Sequence, residues 1–420
     1  MHPVRQVHVR SRAAAAAARI RARSGHARAL ALCAAVLGIA TAGAASPATA
    51  QTGGATVLLV SDFHFDPFTA DSQVVRTLRS TPVSGWVRVL QTSPDTAPSS
   101  YNSDSNYPLL RSAGAAMRQR ASHPAFVVIT GDFLGHNFES KYATVFGDTA
   151  GVGAFADSTM AFMAQYVGSL FPADVPIYPS IGNNDSGCND YGMSPPFFRS
   201  AARSWAPLAQ RGGGAPGFVA GFGSAGYYTA RPPRAGVTLV MMNDVYWSRS
   251  YTTGCGPDQG EQELRWVGQV LDSVRAAGGK AWLAAHIPPG VDIYGSLSQP
   301  NNPKMMLAQY AAAFDSLIRA NAGTVALQIT GHTHMDEFRV YANGAGGRAV
   351  PDLGVPAVSP VFGNNPGFVT LRLSPAGNVL NYTAWAYTYP TTTPARPGRW
   401  GMLFDFRTLY RQPSVTGASF

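Results

Sequence analysis

The chain has 420 residues, of which 45% are hydrophobic and 13% charged, with a formal net charge of +9. That charge sits at one end: residues 1–28 hold seven arginines and no acid, so beyond residue 50 Lys+Arg falls from 32 to 25 against 23 Asp+Glu, a net of +2. The remainder carries no signal for nucleic-acid binding and is long enough to bury a large core.

The chain opens with those arginines, an apolar run over 29–42, and Ala48-Thr49-Ala50 before Gln51. A basic stretch, a short apolar run and a small-x-small site are the pattern of a secretory signal peptide. The apolar run is short for a membrane-spanning helix. Cleavage after residue 50 is expected, giving a secreted or periplasmic protein with no transmembrane span. Cys33 follows Leu32, so no lipoprotein site is read there.

Past the leader, apolar runs at 56–60, 125–130, 176–181, 237–242, 280–285 and 324–330 read as strands buried on both faces. Helical patterns lie between them, at 109–120, 154–170, 259–277 and 304–320. In 259–277, Leu264, Val267, Val270, Leu271 and Val274 share one face. The tail turns strand-rich, at 338–341, 355–361, 368–373 and 379–387, which predicts a second, more antiparallel sheet. The fold class is therefore α/β. Residues 66–107 and 186–235 read as long irregular excursions, and 390–420 as a surface appendage with one short helix.

Chemistry-bearing residues collect where these strands end. In order they are Asp62-Phe63-His64, Gly131-Asp132, Gly182-Asn183-Asn184-Asp185, His286 and Gly331-His332-Thr333-His334. Ligands in α/β sheets gather at the carboxyl ends of strands. Residues two apart on an extended segment point the same way, so Asp62 with His64, and His332 with His334, can face one cleft. Asp132 offers two oxygens that can bridge two cations, and Asn183 an uncharged amide oxygen. Three oxygen ligands and four imidazoles form a donor mixture suited to a two-metal hydrolytic site. Of six histidines beyond residue 50, five (His64, His136, His286, His332, His334) lie in or beside these motifs, and only His123 stands apart. Cys188 and Cys255 form an even pair, as expected for one disulfide in an exported protein. No Gly-x-Ser-x-Gly elbow and no Gly-x-x-x-x-Gly-Lys loop is present.

With these motifs the chain resembles the calcineurin-like metallophosphoesterases, and more narrowly the acid-sphingomyelinase-like phosphodiesterases and their endopolyphosphatase relatives. The narrower likeness rests on Gly331-His332-Thr333-His334-Met335-Asp336-Glu337-Phe338 and Phe362-Gly363-Asn364-Asn365-Pro366. The resemblance implies a sandwich of two mixed β-sheets flanked by helices, with the catalytic domain over 51–389. It implies one metal held by Asp62, His64, Asp132 and His334, and another by Asp132, Asn183, His286 and His332, the two about 4 Å apart with a shared water. Zinc is the expected ion, with iron or manganese also compatible with the donors. Where much of the superfamily has a histidine after the ligand asparagine, this chain has Asn184. Asn184 can bond a phosphate oxygen but cannot deliver a proton, which leaves His136 as the general acid. Asp185 is expected to orient the Asn183 loop, Asp336 and Glu337 to fix histidine tautomers, and Asn364 and Asn365 either to line the cleft or to build its loop.

The resemblance thus implies hydrolysis of a phosphodiester or phosphoanhydride in a small phosphoester, phospholipid or polyphosphate. The alternatives are a phosphomonoesterase or polyphosphatase of the same fold and a non-catalytic metal-binding homologue. A phosphomonoesterase that ligates iron through tyrosine is disfavoured, because no tyrosine stands at the matching place near Asp132.

Overall fold

The computed structural model describes residues 54–299, 301–342, 347–392 and 395–420. The expected signal peptide and its cleavage point lie outside them. Among the described residues no helix is long and apolar enough to cross a membrane.

The strands run in order β1 (Thr56–Val60), β2 (Phe126–Ile129), β3 (Ile177–Pro179), β4 (Tyr228–Ala230), β5 (Thr238–Met241), β6 (Ala281–Ala284), β7 (Val325–Thr330), β8 (Glu337–Tyr341), β9 (Val350–Gly354), β10 (Gly367–Leu373), β11 (Val379–Thr388), β12 (Thr391–Thr392), β13 (Ala395–Arg396) and β14 (Arg399–Asp405). β12 pairs with β13, and the other twelve form two six-stranded sheets, β14-β11-β10-β1-β2-β3 and β4-β5-β6-β7-β9-β8. Both are mixed. In the first, β1, β2 and β3 run parallel while β10, β11 and β14 alternate. In the second, β5, β6, β7 and β9 run parallel, with β4 and β8 antiparallel at the edges. The parallel strands are apolar on both faces because each sheet is covered twice, by helices outside and by the other sheet inside. Phe126 on β2 meets Trp282 on β6 across the interface, and Tyr228 on β4 donates to the carbonyl of Pro179 on β3.

The helices Tyr107–Arg120, Val152–Leu170, Gly260–Ala276 and Ala308–Ala320 fall where the periodicity predicts them. The last starts four residues later than expected, since Lys304 and Met306 are bridge partners of Val291 and Ser248. On Gly260–Ala276, Val267, Leu271 and Val274 are buried as expected, whereas Leu264 and Val270 are only partly covered.

Four expectations are corrected. The stretch 355–361 is not a strand: the strand is β9, just before it. Pro356 and Pro360 lack the N–H a ladder needs. The segment instead crosses between the sheets, with Val355 N–H on the Thr330 carbonyl and Val358 N–H on that of Ser61. The region 66–107 carries the helices Ser72–Ser80 and Trp86–Leu90, and 186–235 carries Pro195–Ala209 and Phe218–Ala225. The tail beyond 390 is no mere appendage. Its strand β14 completes the first sheet, and Phe406 of the following helix Phe406–Tyr410 is fully buried.

Candidate metal centre

Every sequence-identified ligand lies just past the carboxyl end of a parallel strand. Asp62 and His64 follow β1, Asp132 follows β2 and Asn183 follows β3; His286 follows β6, and His332 and His334 follow β7. The chain turns sharply there. Asp62, His64, Asp132, His332 and His334 all have positive φ, between 40° and 60°. Non-glycine residues rarely hold that left-handed conformation, so the surrounding packing must impose it. The motif glycines let the turns close on one another. A Cβ on Gly182 would lie 2.1 Å from Asp132 Oδ1, and one on Gly331 would lie 2.1 Å from Ser61 Oγ.

The seven side chains converge in two groups. Asp62, His64 and His334 form one: His64 Nε2 is 3.1 Å from His334 Nε2, and Asp62 Oδ1 is 3.4 Å from His334 Nε2. Asp132, Asn183, His286 and His332 form the other: His286 Nε2 is 3.0 Å from Asn183 Oδ1 and 3.2 Å from His332 Nδ1. The Asp132 Oδ2 atom lies 3.4 Å from His64 Nε2 and 3.2 Å from His286 Nε2, so one oxygen faces both groups.

The hydrogen-bond chemistry fits cations at both places. His64 Nδ1 donates to the Leu134 carbonyl at 3.0 Å, and His286 Nδ1 to the Thr130 carbonyl at 2.7 Å. With one proton on Nδ1, each imidazole aims its Nε2 inward, and that nitrogen is bare once a cation takes the place of a second proton. Asp62 Oδ2 is engaged by Ser61 Oγ, itself bonded by Thr130, which leaves Oδ1 buried without a hydrogen-bond partner. The centre thus presents lone pairs to lone pairs, an arrangement that divalent cations satisfy.

The electrostatics agree. Burial disfavours charge on the imidazoles, yet Asp132 and Asp62 pull His64 up to about 9, and Asp132 pulls His286 up to about 10. Burial and the neighbouring His286 push His332 down to about 3. Both carboxylates are held low despite burial, Asp132 chiefly by His286 and His64, Asp62 chiefly by His334. The pocket calls for positive charge.

The surroundings partly match expectation. Asp185 does orient the Asn183 loop, accepting from Gly182 N–H, and it also accepts from Phe133 and Leu134 N–H of the Asp132 loop. Burial and the nearby Asp132 charge push it up to about 7. Asp336 and Glu337 do not fix the histidine tautomers. Asp336 pairs with Tyr382, and Glu337 bonds Thr333 and Arg339; backbone carbonyls hold His64 and His286 instead. Asn364 and Asn365 tie the loop, to the Ser359 carbonyl and Tyr101, while Phe362 between the loop and the centre faces His334 edge-on at 4.7 Å. Asn184 gives both its backbone N–H and its amide to Asp132, at 2.8 and 2.9 Å. Cys188 and Cys255 are joined. His123 stands apart, paired with Asp174 on the surface.

His136 stacks on His64 with ring centroids 4.1 Å apart, and its Nδ1 is 2.8 Å from Asp104 Oδ1. Asp104 also accepts the His136 N–H and pairs with Lys141, which reaches Asp66 as well. Burial opposes ionisation of Asp104, but the bond to His136 and the charges of His64 and Lys141 hold it low. Sequence reasoning missed Asp104, in a stretch read as irregular. It also missed Asp244, which follows the strand predicted at 237–242 and accepts from His286 and Ile287 N–H. Beside the centre lies a cleft of about 370 Å³, walled by Asp190, Tyr191, Arg249, Asp292, Tyr294 and Phe362.

Against known proteins, the calcineurin-like phosphoesterase family model matches residues 55–336. The chain is 25% identical over 329 residues to acid sphingomyelinase-like phosphodiesterase 3b of Mus musculus, covering 77% of this chain and 66% of that protein. It is 25% identical over 247 residues to sphingomyelinase phosphodiesterase C of Dictyostelium discoideum, covering 57% and 50%. It is also 25% identical over 236 residues to an endopolyphosphatase of Yarrowia lipolytica, covering 51% and 29%. The chain spans less than two thirds of the length of each of these relatives.

Proposed function

The chain belongs to the calcineurin-like phosphoesterase family, and from that premise we propose that it is an exported dimetal phosphoesterase hydrolysing phosphodiester or phosphoanhydride bonds. The observation that carries the reading is Asp132 Oδ2, placed between two sets of inward-facing lone pairs. Asp62, His64 and His334 would hold one cation, Asn183, His286 and His332 the other, and Asp132 both. Zinc suits the mixture of imidazole, carboxylate and amide. Two bound cations supply Lewis-acid polarisation of the phosphoryl group and an activated water nucleophile.

The chain's own groups supply the rest. His136, held through Nδ1 by Asp104, keeps its Nε2 for the leaving-group oxygen and serves as general acid. Asn184 steadies the shared carboxylate and stands at the cleft, where its amide can turn to a phosphate oxygen. A phosphoanhydride is the second reading. A leaving phosphate needs less protonation than an alkoxide, and Asn184 brings no proton where much of the family places a histidine. Sphingomyelin-type and polyphosphate substrates are the candidates that the named relatives bring forward.

Metal-stripped protein should not hydrolyse bis-p-nitrophenyl phosphate and should recover on addition of Zn²⁺. Full turnover by the stripped protein would overturn the proposal. Rates on sphingomyelin, a nucleotide diester and polyphosphate then rank the substrate classes.

A further inference from the structure

The two cation positions are not supported alike. The position built from Asn183, His286 and His332 leans on one short segment, Cys188 to Gly192, which among the described residues gives no hydrogen bond to Asp62, His64 or His334. Asp190 Oδ1 accepts the Asn183 amide N–H at 2.7 Å. Tyr191 N–H bonds the Asn183 backbone carbonyl at 2.9 Å, and the Tyr191 hydroxyl lies 3.5 Å from His332 Nε2, the ring nitrogen that does not face His286.

Asp190 decides what Asn183 can do. An amide has an acceptor end and a donor end. While Asp190 takes the donor end, Oδ1 faces His286 Nε2 at 3.0 Å, so both offer lone pairs to a cation placed between them. Were the amide to turn over, its N–H would bond that bare nitrogen, and two ligands would satisfy each other in place of a cation.

The segment is held in turn by a loop distant in sequence. Cys188 is bonded to Cys255, 67 residues on. Gly192 pairs with Thr252, whose N–H bonds the Tyr191 carbonyl. Tyr191 has φ of 58°, and a Cβ on Gly192 would sit 2.6 Å from Cys255 Sγ, so the sulfur packs directly onto this backbone. A strained backbone persists only where its surroundings fix it.

We propose that Asp190 and Tyr191, clamped by the Cys188–Cys255 disulfide, are positioning residues for one cation of the pair, so that breaking the clamp releases that cation and spares the other. This rests on the two-metal reading above. The test loads purified protein with Zn²⁺ and titrates it with a chromophoric chelator, reading zinc released per chain. Wild type should hold two equivalents. Asp190→Ala should lose one of them at least tenfold more readily. Asp190→Asn, which keeps an acceptor oxygen, should retain it. Cys188→Ser/Cys255→Ser should behave as Asp190→Ala, and matching circular dichroism of the metal-free forms excludes misfolding as the cause. Two equivalents held by Asp190→Ala as tightly as by wild type, or both lost together, would overturn the proposal. Fewer than two equivalents in wild type would overturn the reading beneath it.

Discussion

The two sheets make different contributions to the centre. The first supplies every oxygen of the proposed ligand set, Asp62, Asp132 and Asn183, together with His64; the second supplies imidazoles alone, His286, His332 and His334. Neither sheet has a complete set for either cation. The first brings negative charge that is costly to bury alone. The second brings neutral donors that a cation must hold. The seven groups meet only where the sheets are packed face to face, so on the two-metal proposal metal binding and the docking of the sheets are one equilibrium seen from two sides.

The most severe way to break this comparison is to remove the ions. EDTA should abolish hydrolysis and lower the melting temperature, since free metal at 100-fold over its Kd stabilises by about 2.7 kcal/mol. Amide exchange should quicken at the strand ends of both sheets, around Asp132 and around His332. Faster exchange at one sheet only would mean that the other holds its half of the centre unaided. Next in size is Asp132→Asn, which weakens the one ligand both groups share. Its loss of turnover should exceed the roughly 10–100-fold that losing a supporting partner costs. Asp62→Asn should spare the group around His286, as zinc stoichiometry would show.

The parallel strands β1, β2, β3, β5, β6 and β7 were legible in the sequence, because a strand buried on both faces reads as an unbroken apolar run, whereas the parallel β9, with Pro351 and Asp352 inside it, was not. All seven proposed ligands were legible for the same reason: each follows such a run within a few residues. What the sequence concealed was whatever acts across long separations. Asp104 is 32 residues from His136, and nothing in Asn102-Ser103-Asp104-Ser105 distinguishes it from a loop acid. The 355–361 segment is apolar and β-branched like a strand, and only its two prolines hint that it bridges the sheets instead of joining one. The strand β14 was hidden by its composition, since an edge strand with Gly401 and exposed Met402 and Leu403 lacks the buried pattern.

His136 and Asp104 belong to the first sheet's side of the cleft, and on the proposed mechanism they give that side the proton, which sharpens the comparison. Asp104→Ala should cost about 10²–10⁴-fold for substrates with alkoxide leaving groups. It should cost far less for p-nitrophenolate, which leaves without protonation. An equal loss on both would make Asp104 a structural support rather than a partner in proton transfer.

The finest test sets one buried aspartate against another. Asp185 lies on the first sheet's side and accepts from Gly182, Phe133 and Leu134, stitching the Asn183 loop to the Asp132 loop. Asp244 lies on the second sheet's side and accepts from His286 and Ile287 N–H. Both are fully buried, so chemistry and burial alone would give equal effects. If the first sheet carries the shared ligand, they cannot be equal. Asp185→Ala frees Asp132 and Asn183 and should weaken both cations, whereas Asp244→Ala frees His286 and should weaken one. Each loss should fall within about 10–100-fold in zinc affinity, measured by chelator competition. One weakened equivalent in both variants would place the shared oxygen's support elsewhere, and two in both would show that the sheets loosen together.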